Sequence, residues 1–286
     1  MTRIPPEVQQ WLETHGYGKV RHIRPVGGGC INNGARLHTA SGATFFLKTN
    51  TAAQPDMFAR EAEGLTALRV PEGPRVPQPL LWGADFLLLE DLAPASPRPD
   101  FWETLGQRLA ALHEHIGPAF GFHHDNYIGS TPQPNPWTDD GYTFFATHRL
   151  GFQARLAFER GLLEADDLRR IERLAARLSE WIPPQPPSLI HGDLWHGNVI
   201  PDAQGQPALI DPAAHYGWAE AELAMTALFG GFPERFYQAY EAARPLAQGY
   251  RQRFSLYNLY HLLNHLNLFG TGYLGAVRRV VREWQG

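Results

Sequence analysis

The sequence predicts an α+β protein of two unequal lobes: residues 1–91, a small antiparallel sheet plus one helix, and residues 92–286, larger and mainly helical. Three observations lead there. Strand-type segments fall in the first part: His22-Ile23-Arg24, Ala35-Arg36-Leu37-His38, Ala43-Thr44-Phe45-Phe46-Leu47-Lys48 and Phe86-Leu87-Leu88-Leu89. The run Ala93-Pro94-Ala95-Ser96-Pro97-Arg98-Pro99 then changes the composition near residue 92, as a domain boundary does. Beyond it, apolar residues recur at helical spacing.

The one helix expected in the first lobe covers residues 56–69, with Met57, Phe58, Leu65 and Leu68 on one face. After the boundary, residues 101–116 are amphipathic through Phe101, Leu105, Leu109, Leu112 and Ile116. Further helical patterns cover 142–160, 165–181, 219–229, 234–243, 250–269 and 272–284. Between them, Ser188-Leu189-Ile190 and Pro207-Ala208-Leu209-Ile210 read as short buried strands, with 201–207 as a hairpin or loop. Residues 121–137, rich in aromatics and proline, are too irregular for a core element.

At 286 residues and 43% hydrophobic, the chain can bury a full core. A net charge of −4 argues against a nucleic-acid-binding surface over the whole molecule. Met1-Thr2-Arg3-Ile4-Pro5-Pro6 has no basic start followed by an apolar core, and no run of 18 apolar residues occurs, so neither a signal peptide nor a membrane span is expected. A single cysteine, Cys30, excludes an internal disulfide and fits a cytoplasmic location.

Both buried strands of the second lobe end at polar residues. His191-Gly192-Asp193-Leu194-Trp195-His196-Gly197-Asn198 follows the first, and Asp211 follows the second. Phosphoryl transfer from ATP needs a carboxylate to orient the attacking hydroxyl and take its proton, and hard oxygen ligands for Mg²⁺. Asp193 suits the first task, Asn198 and Asp211 the second, since a hairpin between them would bring their ends together. The competing reading makes Asp193 and Asp211 turn residues and Asn198 a cap, which explains neither their order nor their spacing. His191 is expected to orient the loop through backbone hydrogen bonds.

The chain has 25 basic residues but only two lysines, Lys19 and Lys48. Where arginine serves for general charge, a retained lysine suggests a specific task. Lys48 ends a strand, and a compact ammonium there suits ATP phosphates better than a planar fork. Gly27-Gly28-Gly29 lies upstream; glycines let backbone N–H groups approach phosphate oxygens, though a glycine hairpin is the usual alternative. Glu61 shares the apolar face of its helix with Met57 and Leu65, whereas Glu63 points elsewhere. A carboxylate on such a face is costly unless paired, and Lys48 is its natural partner. Glu90 and Leu92 fall where the first lobe joins the second, where backbone groups of a hinge would meet adenine.

These parts are similar to the kinase-like superfamily of aminoglycoside and choline phosphotransferases. Over nearly its whole length the chain resembles the fructosamine/ketoamine kinase family. The carrying residues are Gly27 to Ile31, Met57-Phe58-Ala59-Arg60-Glu61, Gly121-Phe122-His123, Pro132-Gln133 and Trp137. They continue through Phe144 to Leu150, His191 to Trp195, Asp211-Pro212-Ala213, Tyr216-Gly217, Gly230-Gly231-Phe232, Leu263-Asn264-His265 and Phe269-Gly270. Trp195 after His-Gly-Asp-Leu sets this family apart from antibiotic kinases.

The resemblance implies a two-lobed protein-kinase-like fold with a nucleotide-binding first lobe. It implies ATP- and Mg²⁺-dependent phosphorylation of the carbon-3 hydroxyl of a ketoamine, a ribulosamine, erythrulosamine or fructosamine on a protein lysine or a free amine. The product is labile, so the activity amounts to protein repair. Trp195, Asn264 and His265 become substrate candidates, and 121–137 a wall of the sugar site. His196 departs from the small residue usual in relatives. Cys30, within the glycine segment, is a candidate for oxidation that blocks ATP. No nucleic-acid or membrane partner is expected, with a monomer as the first reading and a dimer as its alternative. The rival readings are a kinase for an aminoglycoside or amino alcohol, and a non-enzymatic binding module; the latter would require a missing catalytic residue, and none is missing.

Overall fold

The structure, a computed structural model, describes residues 4–27 and 33–284. Five strands form an antiparallel sheet: β1 (Val20–Val26), β2 (Asn33–Thr39), β3 (Thr44–Thr49), β4 (Pro79–Trp82) and β5 (Phe86–Glu90), in the order β1-β2-β3-β5-β4. Two helices flank it, α1 (Pro6–Thr14) and α2 (Met57–Ala67). The alternation of strand side chains decides what each helix covers. Phe45, Leu47, Phe86 and Leu88 join Val8 and Leu12 of α1 in one buried cluster. Leu87 and Leu89 face the other way, into a cluster with Phe58, Ala62 and Leu65 of α2. Covered on both faces, β5 is apolar without a break.

The expectation of one helix in this part is corrected: α1 adds a second. It is a nine-residue segment with only Val8 and Leu12 buried, too short for its periodicity to stand out. β4 was also unforeseen, because it opens on Pro79, which reads as a breaker until the strand is seen at the sheet's edge.

The chain then turns helical. α3 (Phe101–His113) places Leu105, Leu109 and Leu112 in the same buried cluster as α2. A hairpin of β6 (Asn126–Ile128) and β7 (Thr131–Gln133) follows. The expected 142–160 helix divides into α4 (Gly141–Phe144), a π-helical stretch Phe145–Gly151 and α5 (Phe152–Glu159). Apolar spacing cannot reveal such a widened turn, which alters the period only locally. Next come α6 (Ala165–Ala175), β8 (Ser188–Ile190), β9 (Val199–Pro201), β10 (Pro207–Leu209) and β11 (His215–Gly217). β9 and β10 close an antiparallel hairpin with Val199 opposite Leu209, while β8 pairs with β11. α7 (Ala219–Leu228), α8 (Glu234–Ala243), α9 (Phe254–Phe269) and α10 (Leu274–Glu283) complete the chain. No helix among the described residues is long and apolar enough to cross a membrane.

Candidate active site

Strand alternation decides the first contact. Because Leu47 faces α1, Lys48 faces α2, across from Leu87. There its Nζ reaches Glu61 Oε1 of α2 and Oδ1 of Asp211, which lies two residues past the β9–β10 hairpin. Lys48 is 6% exposed. Burial alone would lower its pKa, but the carboxylates of Asp211 and Glu61 outweigh that and hold the ammonium above the ordinary lysine range. Glu61 is driven upward by burial, with Asp211 adding repulsion and Lys48 opposing. Lys48 and Glu61 are thus brought together as expected, and Asp211 joins them.

The loop after β8 is held by three sets of backbone bonds. His191 Nε2 donates to Ile210 O at 2.8 Å, and its Nδ1 accepts the Asp193 N–H at 3.3 Å. These two bonds select one neutral tautomer, and burial keeps the ring's pKa below the usual imidazole range. Ala213 N donates back to His191 O at 2.9 Å. Gly192 has φ +84°, and a Cβ there would stand 2.1 Å from Ala213 O, so both conformation and space require glycine.

Asn198 is 5% exposed, and its Nδ2 donates to Asp193 O at 2.8 Å and Asp193 Oδ2 at 3.2 Å. Ile210 N donates to Asn198 O at 3.1 Å, so the hairpin brings Asn198 beside the residue preceding Asp211. Burial, reinforced by the charge of Asp211, pushes the Asp193 carboxyl up to about 7, against the Asn198 hydrogen bond. A carboxylate poised there can take a proton at neutral pH. The amide nitrogen of Asn198 is committed to Asp193, which leaves Oδ1 to offer outward. That oxygen and the carboxylate of Asp211, whose side chain is 41% exposed, are hard donors of the type Mg²⁺ takes. Asp211 itself has φ +57°, a strained conformation for a non-glycine residue.

Sequence reasoning missed Glu222. This α7 carboxylate, 2% exposed, accepts Gly192 N–H at 2.7 Å, His191 N–H at 2.9 Å and His113 Nε2–H at 3.1 Å. Burial pushes its pKa up, but the His113 bond and those backbone donors outweigh it and hold the carboxyl below its usual range. The signal was present in part: Glu222 stands among Ala221, Leu223, Ala224 and Met225, an apolar setting like the helix face that singled out Glu61.

The substrate candidates separate. The Trp195 ring lies over Gly197, where an added Cβ would come within 2.4 Å of it. Phe229 stands 6.3 Å from Trp195 and 4.7 Å from His265, and Tyr273 lies 5.1 Å from His265. Trp195 and His265 therefore belong to one aromatic row. Asn264 does not: it is 2% exposed and accepts Gln153 Nε2 of α5 at 3.3 Å. Asn264, a substrate candidate from sequence, is thus bonded within the helix packing. The adjacent residue on a helix points about 100° away. His196 lies against Trp102 at 5.5 Å. Glu90 ends β5, bound through Oε2 by Gln78 N at 3.2 Å and ion-paired with Arg75; Leu92 is buried. Gly27 is exposed, whereas Gly28, Gly29 and Cys30 lie outside the described residues.

The model of the family described as fructosamine kinase matches residues 5–285. A probable ketoamine kinase of Synechocystis sp. is 44% identical over 281 residues, 96% of this chain and 94% of that protein. A chloroplastic protein-ribulosamine 3-kinase of Oryza sativa is 38% identical, across 97% of this chain and 83% of its own length. Among solved structures, one from Thermobifida fusca assigned as a fructosamine-3-kinase superposes with a TM-score of 0.89 at 34% identity, covering 99% of both chains. A choline kinase of Streptococcus pneumoniae, 14% identical, gives a TM-score of 0.64 over 98% of both chains. At that identity it speaks for the fold alone, which is protein-kinase-like.

Proposed function

This chain belongs to the fructosamine kinase family, and from that premise we propose that it transfers the γ-phosphoryl group of ATP to the carbon-3 hydroxyl of a ketoamine. The observation that carries the reading is the convergence of Lys48, Glu61 and Asp211 beside the loop that presents Asp193. Residues 1–91 would hold the nucleotide and 92–286 the acceptor, a division supported by the sheet ending at Glu90 and the first long helix of the second part opening at Phe101.

In this reading Asp193 orients the acceptor hydroxyl and takes its proton as the oxygen attacks. Lys48, kept charged by its two carboxylates, binds the nucleotide phosphates, and Glu61 fixes its direction. Backbone groups near Glu90 and Leu92 meet the adenine, and Gly27, Gly28 and Gly29 cover the phosphates. Asn198 and Asp211 would hold Mg²⁺, which neutralises charge on the phosphates when bound. Trp195 and His265 line the path of the ketoamine. The transition state is loose, so positioning and charge compensation do most of the catalytic task. A phosphate on carbon 3, next to the carbonyl, is a better leaving group than a hydroxyl. Elimination of that phosphate after enolisation, followed by hydrolysis of the resulting imine by water, would free the amine, a deglycation of protein lysines or small amines.

The test is ATP consumption with Mg²⁺ on ribulosyl-lysine, fructosyl-lysine, kanamycin and choline. Turnover on the ketoamines alone is expected. Asp193→Asn should lower kcat at least about 10²-fold while leaving ATP affinity in place. Turnover on kanamycin or choline alone would overturn the acceptor assignment, and an unchanged Asp193→Asn would remove that residue from the mechanism.

A further inference from the structure

Residues 121–137 were expected to be irregular and to wall the sugar site, yet much of this segment is core. Asn126, Gln133 and Asn135 are 5%, 1% and 1% exposed. Buried amides are costly unless their hydrogen bonds are met, and the partners they take here are specific. Asn126 Nδ2 donates to Ala214 O at 2.8 Å, and Gln133 Nε2 to Ala213 O at 3.0 Å and Asn126 Oδ1 at 2.7 Å. Both carbonyls belong to the segment immediately after Asp211.

The same hairpin grips α2. Tyr127 Oη donates to Asp56 Oδ1 at 2.6 Å. Asp56 immediately precedes α2 and makes no capping bond to it; its other oxygen accepts Arg60 Nε at 3.1 Å. His124 Nδ1 lies 2.8 Å from Glu63 Oε1 on the same helix. From behind, Tyr260 donates to Gln133 Oε1 at 2.5 Å and Arg149 Nη2 to Asn135 Oδ1 at 2.7 Å. Arg149 is itself 1% exposed and sits 4.4 Å over the Phe144 ring.

We propose that the β6–β7 hairpin is a positioning element that sets α2 and the Asp211 turn relative to each other, with Tyr127 and Gln133 as its two working contacts. The carboxylates of Glu61 and Asp211 reach Lys48 from separate parts of the chain, 61 from α2 and 211 from the β9–β10 hairpin. A small change in either would part the ammonium from one partner or turn Asp211 away from Asn198. The hairpin holds both parts, α2 through Tyr127 and the turn through the buried amides of Asn126 and Gln133. It also helps to sustain the strained φ of +57° at Asp211, since strained residues persist where surrounding bonds over-determine them. Tyr127 and Gln133 touch no reacting atom in this account; they act through α2 and the turn.

This inference rests on the proposed function only in taking Asp211 as a Mg²⁺ ligand, so its test reads nucleotide binding without an acceptor. Affinity for a non-hydrolysable ATP analogue is measured with and without Mg²⁺ on full-length wild type, Tyr127→Phe and Gln133→Leu, alongside Tm and steady-state kinetics. Each variant should bind the analogue with Mg²⁺ at least about fivefold more weakly. Gln133→Leu acts through the Asp211 turn and should spare metal-free binding, whereas Tyr127→Phe acts through α2 and Lys48 and should weaken it as well. In each variant kcat should fall in parallel while KM for the ketoamine stays unchanged. Tyr127→Phe removes one hydroxyl and should keep Tm near the wild type, so it decides the matter if Gln133→Leu folds poorly. Wild-type Mg²⁺-dependent affinity in Tyr127→Phe, or an effect confined to KM for the ketoamine, would overturn the proposal. Wild-type protein that binds Mg²⁺ and nucleotide but phosphorylates no ketoamine would defeat the proposed function, while an intact fivefold loss in the variants would still support this one.

Discussion

Glu222 accepts the backbone N–H of Gly192 at 2.7 Å, and through that bond a carboxylate on α7 fixes the residue next to Asp193. Its second oxygen takes the His191 N–H and the His113 ring. The loop carrying Asp193 is therefore shaped from behind by a group that approaches no reacting atom.

Glu222→Gln keeps the shape but replaces one acceptor oxygen with a donor, so one of the donors now facing it is left unpaired. Loss of about 1–3 kcal/mol of stability is expected, measured by urea denaturation. kcat should fall while KM for both ATP and ketoamine remains close to wild type.

Acid should destabilise the protein well above the ordinary carboxylate range. Burial holds the pKa values of His113, His191, His215 and His261 below the free imidazole value of 6.5. Groups depressed in the folded state stabilise it above their unfolded pKa, and that contribution is lost as pH falls toward the folded one. For His261, held down to about 3, the loss is about 1.4 kcal/mol per pH unit below 6.5. Urea midpoints between pH 7.5 and 5.5 should fall steadily, and His261→Asn should reduce the slope.

Lys48→Arg keeps the charge but cannot place a planar fork where one buried ammonium meets two carboxylates. KM for ATP should rise at least about tenfold, with KM for the ketoamine unchanged. Equal effects on both substrates would place Lys48 outside the nucleotide site.

Gly192→Ala adds a clash with Ala213 O to an unfavourable φ, whereas Gly161, at φ +69°, has nothing within 4 Å of an added Cβ. Gly161→Ala should cost about 1–2 kcal/mol, the left-handed strain alone. Gly192→Ala should cost more, and kcat should fall by at least about 10²-fold. Comparing the two by denaturation separates strain from collision.

Much of the site was legible because its chemistry is local. Asp193, Asn198 and His191 sit within eight residues, and the hairpin between Asn198 and Asp211 is a short-range turn whose residues announce it. Lys48 was exposed by the scarcity of lysine, and Glu61 by standing on an apolar helix face. That Asn264 packs against Gln153 while His265 joins the aromatic row was not legible, because adjacency in sequence says little about direction on a helix.

The sequence by itself determined most of the strands and helices, the residue types suited to phosphoryl transfer and the pairing of Lys48 with Glu61, since each depends on residue type and spacing along a short stretch. Only the tertiary structure decided that Glu222 holds the Asp193 loop from 30 residues away, that Asp211 shares Lys48, and that Asn126 and Gln133 reach the carbonyls of Ala214 and Ala213. Apart from the Lys48–Asp211 ion pair, those bonds join backbone groups, which every residue carries, to amides and carboxylates far along the chain. Residue identity leaves such pairings open, and folding selects them because each buried polar group must find a partner.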